Sequence, residues 1–292
     1  MAYQYASAVE TISKEGQKVY PLPCYANVWL KQYPWYPGSY PSGGPVREMH
    51  EIWKLAAPSL FTLAPDIYVP YVADVMGEYS YEGNPLLIPE VRKDAVTASY
   101  CLYAFGKYNA ICYSPFGIEE LALDPDRIEK PPMELMVSLN IDPTAFDIEG
   151  SKEYLSSVYA LLENLKPLYL QYRGSSRLHS YLKKSDTDFG ALLKAEKYDI
   201  SVSYDPKRPI APLASGMIFE LSADIFLVIG MCSTIRFSSK EGCAKKTEIL
   251  RKQEGTIHNG IWCPGRILNG DEKRMLSFGN MVSCIRIELY QF

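Results

Sequence analysis

Several common signatures are missing from this sequence, and each absence removes a class of function. No C-x-x-C pair occurs among the seven cysteines (Cys24, Cys101, Cys112, Cys232, Cys243, Cys263 and Cys284). An odd count forbids complete internal pairing, so reduced thiols in a cytoplasmic protein are expected. No N-x-S/T acceptor is present, and residues 1–17 contain no apolar signal core. Apolar runs such as 225–231 are far too short to span a bilayer, so no membrane partner is expected. The charge balance is slightly acidic, with 30 Lys and Arg against 34 Asp and Glu, and no basic patch stands out; a nucleic-acid partner is not expected. His50, His179 and His258 lack metal-ligand spacing, and no Gly-rich phosphate fingerprint follows any apolar run. Neither a metal nor another cofactor is therefore expected.

Aromatic residues are abundant: 23 Tyr, 10 Phe and 4 Trp. Flat aromatic faces suit the apolar C–H edges of sugar rings, although many tyrosines are simply core or strand residues, the reading favoured here. From residue 1 to about 109, short apolar stretches alternate with helical periodicity. Helices are predicted over 3–15, 46–57, 70–81 and 93–107, and strands over 21–28, 60–68, 86–90 and 110–115. This alternation predicts a parallel β/α architecture, either an open sheet or a barrel. Residues 118–150 read as a long irregular connection, and a helix over 151–165 is expected to break at Pro167. Beyond residue 198 the pattern changes to short alternating runs (YDISVSY, GMIFEL, DIFLVIG, STIRFSS, TEILRKQEG, CIRIELYQF) of an antiparallel sandwich. Asn269–Gly270 reads as a tight turn between two of these strands.

Polar and aromatic residues gather where the first four strands end: Asn27 and Trp29, Asp66 and Tyr68, Glu90 and Arg92, Ser114 and Phe116. At the carboxyl ends of parallel strands such residues line an active face. Glu90 follows Pro89 at the end of an apolar strand, with Arg92 close enough to keep it ionised. That suits a nucleophile toward an anomeric carbon. The structural alternative is an acid favoured by the N-terminus of the next helix. Tyr68 and Asp66 offer hydrogen bonds to the nucleophile or to a sugar hydroxyl, against the plainer roles of packed ring and turn cap. Trp29, Trp35 and Tyr36 form either a stacking wall or a loop that buries its own aromatics.

The runs YANVWL, PGSYPSGGPV, APDIY, NPLLIPE and SPFGIEE resemble the later barrel strands of β-galactosidases of glycoside hydrolase family 35. More narrowly they resemble the bacterial subgroup with an extra C-terminal β domain of unknown function (domain family 5597). EGTIHNGIWCPGRILNGDE and RIELYQF are similar to that accessory domain. The resemblance implies α/β plus all-β: the second half of a (β/α)8 TIM barrel (strands five to eight) over 1–180, then an antiparallel β-sandwich over 181–292. It implies a retaining mechanism with Glu90 as nucleophile, Tyr68 as the phenol that orients it, and Asn27 and Trp29 lining the sugar site. Asp66 and Phe116, at the ends of their strands, complete the expected substrate contacts.

The resemblance also implies an acid/base glutamate on a strand before Met1. Glu10 and Glu15 lie on a predicted helix and match no Asn-Glu strand-end motif. The expected protein is thus a fragment of a β-galactosidase-type hydrolase, inactive alone. Its expected partners are a β-galactoside or related oligosaccharide, together with a separate N-terminal half-barrel chain or a second copy of itself. The alternative expectation is a non-catalytic carbohydrate-binding or interaction protein derived from such an enzyme.

Overall fold

The structure is a computed structural model that describes residues 1–240 and 245–292. The chain forms two compact units, residues 1–94 with 110–147 and residues 95–109 with 148–292.

The first unit is built on one parallel sheet of four strands in sequential order: β1 (Cys24–Val28), β2 (Leu60–Ile67), β3 (Leu87–Val91) and β4 (Cys112–Pro115). Helix α1 (Ala2–Val19) precedes β1, α2 (His50–Ala56) precedes β2, and α3 (Val72–Tyr79) lies between β2 and β3. α1 buries Ala2, Ala6, Glu10 and Ser13, a helical face at three- and four-residue spacing. Glu10 is held there by the backbone N–H of Ser59 at 3.0 Å and its hydroxyl at 2.6 Å, which tie the helix to the turn before β2. β2 is buried along all but one residue, as expected for a central parallel strand covered on both faces.

The register of β3 on β2 is fixed by a side chain. Asn84, fully buried, accepts from Leu63 N–H at 2.9 Å and donates to the carbonyls of Leu63 at 3.1 Å and Tyr79 at 2.7 Å. One side-chain amide thus satisfies backbone groups where β3 has not yet begun. The strands then pair Asp66 with Glu90 and Ile67 with Val91.

The second unit contains α4 (Thr97–Tyr108), α6 (Ser151–Tyr172) and two antiparallel sheets. The short helix α5 (Met133–Ser138) belongs to the first unit, in the segment after β4. The remaining strands are β5 (Leu178–Leu182), β6 (Gly190–Lys194), β7 (Tyr198–Tyr204), β8 (Ser215–Ser222), β9 (Ile225–Met231), β10 (Ser233–Ser239), β11 (Thr247–His258), β12 (Ile261–Leu268), β13 (Leu276–Phe278) and β14 (Ser283–Gln291). One sheet runs β13-β10-β7-β6 and the other β12-β11-β14-β9-β8-β5. Ile200, Val202, Ile235 and Phe278 from the first share a core with Ile218, Val228, Ile285 and Ile287 from the second. Alternating inward residues therefore close the space between the sheets. Pro167 lies inside α6 rather than ending it. The tight hairpin turn is Asn259–Gly260, both at positive φ (48° and 78°) between β11 and β12, as a type I′ turn requires. Asn269–Gly270 instead leads into a 3-10 turn before β13.

The expected second half of a (β/α)8 barrel is overturned. The chain is mixed α/β plus all-β: a four-stranded parallel sheet, six α-helices and two antiparallel sheets among the described residues. The helix α4 shows why alternation misled. Nine of its residues, Thr97 to Ala104 with Gly106, are buried. The helix belongs to the second unit and packs there on β5 and β8. Ser99 fixes it there, donating to Leu213 O at 2.9 Å and accepting from Leu213 N–H at 2.8 Å. After β4 the chain runs through short 3-10 turns and α5 rather than another strand and helix. The six described cysteines, Cys24, Cys101, Cys112, Cys232, Cys263 and Cys284, are free thiols, and Cys243 lies outside the described residues. Among the described residues no helix is long and apolar enough to cross a membrane.

Candidate active site

Successive residues of a strand point to opposite faces, so residues two apart share one. On β2 and its exit, Asp66 and Tyr68 leave the same face. Glu90 joins them through its pairing with Asp66, and Asn27 reaches the same point from β1. The Tyr68 hydroxyl donates to Glu90 Oε1 at 2.6 Å, and Asn27 Nδ2 donates to Oε2 at 3.2 Å. Both carboxylate oxygens are thereby occupied, which fixes the plane of the group.

Burial, then the hydrogen bond to Glu90 and its charge, push the Tyr68 phenol above the usual tyrosine range; it stays a donor. Burial and then the Glu90 charge push Asp66 up to about 8, with the Asn27 amide acting in the opposite direction. Two adjacent carboxyls in a buried setting resist double ionisation, and the one with fewer donors holds the proton.

Aromatic rings frame this cluster. Trp29 lies 6.1 Å from Tyr68, ring centre to ring centre, and its indole N–H donates to Gln32 Oε1 at 3.0 Å. Phe116 meets Tyr68 edge-on at 6.3 Å and is 49 % exposed, so its ring is open to solvent. Trp35 and Tyr36 are exposed on the loop after β1, with Trp35 edge-on to Tyr33. The structure therefore brings Asn27, Trp29, Asp66, Tyr68, Glu90 and Phe116 together; Trp35 has its ring contact with Tyr33.

Arg92, expected beside Glu90, directs its guanidinium to Asp94 at 2.7 and 2.8 Å, Asp142 at 2.8 Å and Thr144 at 2.9 Å. Tyr68 and Asn27 donate to the Glu90 carboxylate. The reason is local: β3 ends at Val91, and beyond it the Arg92 N–H still reaches Ile67 O at 3.0 Å, while Lys93 N–H turns to Ala145 O at 2.8 Å.

Residues without a sequence signal complete the frame. Phe146 stacks on Tyr68 at 5.3 Å, and together with Met136 and Ala145 it forms a small buried cluster. The Lys93 ammonium lies 5.5 Å from the Phe146 ring and 6.0 Å from that of Phe116, and is paired with Glu120. Asp142 N–H donates to Tyr68 O at 3.1 Å, anchoring this segment to the exit of β2. Among the described residues no group of three or more His, Cys, Asp or Glu is placed to hold a metal ion.

Comparison with known proteins concerns the other unit. A family model described as a domain of unknown function (DUF5597) matches residues 155–279, from α6 to just past β13. The match excludes every residue of the Glu90 cluster. No curated protein matches the chain.

Proposed function

We propose that the Glu90 cluster is the sugar site of a β-galactosidase-type retaining glycoside hydrolase, with Glu90 as the nucleophile. The observation that carries this reading is the pair of donors on one carboxylate: Tyr68 on Oε1 and Asn27 on Oε2. A nucleophile toward an anomeric carbon has to be charged, oriented and open on one side. The partly exposed Glu90 meets those needs, and Trp29 and Phe116 provide apolar ring surface beside it. The segment over 155–279 is consistent with a C-terminal domain of glycoside hydrolase family 35 enzymes. That supports the choice of substrate class.

Turnover by a retaining route needs a second carboxyl about 5–5.5 Å away, across the scissile bond. Among the described residues, Asp66 on the adjacent strand of the same sheet is the acidic neighbour of Glu90. An acid beside the nucleophile on one sheet does not face it across a glycosidic oxygen. The chain by itself therefore binds a β-galactoside without hydrolysing it at an appreciable rate. The same observation favours the second reading, a carbohydrate-binding protein derived from such an enzyme.

The test uses the purified chain with an aryl β-galactoside and, separately, calorimetric titration with a non-hydrolysable thiogalactoside. The expected result is binding that Trp29→Ala weakens, with no more turnover than Glu90→Gln shows. Robust turnover lost in Glu90→Gln would overturn the claim of inactivity. Absence of binding to any galactoside would overturn the sugar site itself.

A further inference from the structure

Asp66 and Glu90 are register partners on neighbouring parallel strands, so both carboxyls leave the sheet on one face. They are unequally provided for. Glu90 receives the phenol of Tyr68 and the amide of Asn27. Asp66 is 8 % exposed, and its Oδ1 is buried with no hydrogen-bond partner. A buried carboxylate oxygen left empty beside a second carboxylate is a costly arrangement, and protonation removes the charge that makes it so. The groups facing Asp66 are Asn27 from β1, Glu90 from β3, Tyr68 at the end of its own strand and Tyr79 from α3. The cations nearest in sequence to Glu90 are engaged with other acids, Arg92 with Asp94 and Asp142, and Lys93 with Glu120.

We infer that Asp66 and Glu90 act as a carboxyl pair holding a single proton, with Asp66 the buried neutral acid beside the carboxylate that meets the sugar. The sugar half of this rests on the function proposed above; the proton half does not. Protonation of Asp66 removes the like-charge repulsion between the two carboxyls. It also keeps a single negative charge in the site, on Glu90. Asp66 thus sets the charge of the site rather than reacting itself. The proton is lost near pH 8, where burial and the Glu90 charge place the titration of Asp66. Above that pH the site carries two like charges.

Two measurements on the full chain separate the parts. Carboxyl 13C NMR without ligand is expected to show an aspartate titrating near pH 8. That signal should vanish in Asp66→Asn and move down by about one unit or more in Glu90→Gln, where the neighbouring charge is gone. If Asp66→Asn fails to fold, Glu90→Gln still decides the matter. All aspartates titrating below pH 6, or a high titration unmoved by Glu90→Gln, would overturn the shared proton. The second measurement is calorimetric titration with isopropyl β-thiogalactoside at about pH 6 and pH 9, one either side of the titration. Wild type is expected to lose about tenfold in affinity between them, and Asp66→Asn to bind with nearly equal affinity at both. Equal wild-type affinity at the two pH values would overturn the link between this proton and sugar binding. A titration near 8 with no sugar binding at any pH would overturn the sugar reading while leaving the carboxyl pair standing.

Discussion

The hydroxyl of Tyr68 stands 2.6 Å from Oε1 of Glu90 and donates to it, while the same ring stacks on Phe146 at 5.3 Å. Two substitutions separate these roles. Tyr68→Phe removes the hydrogen bond and keeps the stack. Bonds to charged groups contribute about 1.5–3 kcal/mol, but Glu90 is only partly buried and water is able to replace the phenol. A loss of about 1 kcal/mol is expected. Tyr68→Ala also removes the ring from the cluster with Met136 and Ala145, and truncating a buried aromatic costs about 3–5 kcal/mol. Urea unfolding midpoints of the two variants check this. Equal losses would show that the ring contributes nothing beyond its hydroxyl.

Arg92 is 3 % exposed and joins Asp94 to Asp142. Burial drives Asp94 upward against the pull of the guanidinium; at Asp142 burial is outweighed by Arg92 and the Thr144 donors, which hold it below the usual range. Arg92→Met is expected to destabilise by about 3–5 kcal/mol, because two acids are left without their cation. The pH dependence follows from Asp142. A depressed carboxyl stabilises above its unfolded value near 3.8, and that contribution is lost as pH falls through the folded value. Wild type should therefore lose stability faster than Arg92→Met below about pH 4. Parallel acid-unfolding curves would count against the assigned network.

His50 makes the corresponding case for a base. Its Nε2 lies 3.1 Å from Pro45 O and its Nδ1 3.1 Å from the Tyr81 hydroxyl, which assigns the proton to Nε2. Burial first, then the Arg47 charge, push this histidine down to about 4. A depressed histidine contributes stability that is complete above its unfolded value of 6.5 and is lost as pH falls toward 4. The chain is expected to lose on the order of 2 kcal/mol between those values through this residue. His50→Gln, which keeps one donor and one acceptor, should flatten thermal stability across that range. A slope unchanged by the substitution would assign the acid sensitivity elsewhere.

Much of the strand placement was readable because a buried parallel strand is a short apolar run, and YANV, LFTLAPDI and LLIPE are such runs. The proximity of Asn27, Asp66, Tyr68 and Glu90 was readable for a related reason: parallel strands end on one side, so residues that close them meet. The allegiance of α4 was not readable. Periodicity reports how much of a helix is apolar and is silent about which sheet covers it. Phe146 and Lys93 were missed because they depend on a segment, 116–147, whose turns and prolines give no period. The side chain of Arg92 was expected at Glu90 because the two are close in sequence, and its guanidinium is held by Asp94, Asp142 and Thr144. Two Asn-Gly pairs compete for the tight turn, and only the flanking strands distinguish Asn259–Gly260 from Asn269–Gly270.

Gly106 illustrates the same difficulty and supports a last prediction. It lies near the end of the helix predicted over 93–107, and α4 continues past it to Tyr108 and ends at Asn109, which takes the left-handed conformation at φ 54°. Gly106 is a contact residue: a Cβ there would sit 2.7 Å from Ser180 Oγ and 2.9 Å from Met217 Cγ, both in the facing sheet. Two effects oppose each other in Gly106→Ala. Helix propensity favours alanine by about 1 kcal/mol. Overpacking costs about 1–3 kcal/mol, and Ser180 is held by its own hydrogen bond to Gly216 O at 3.0 Å, which restricts its escape. The clash is expected to win by about 1 kcal/mol. Pairing the change with Ser180→Ala should relieve the closest contact and let the propensity gain through, making the double variant more stable than Ser180→Ala alone. Chemical denaturation of the four proteins completes the cycle. A stabilising Gly106→Ala in the wild-type background would place α4 farther from β5 and β8 than the structure does.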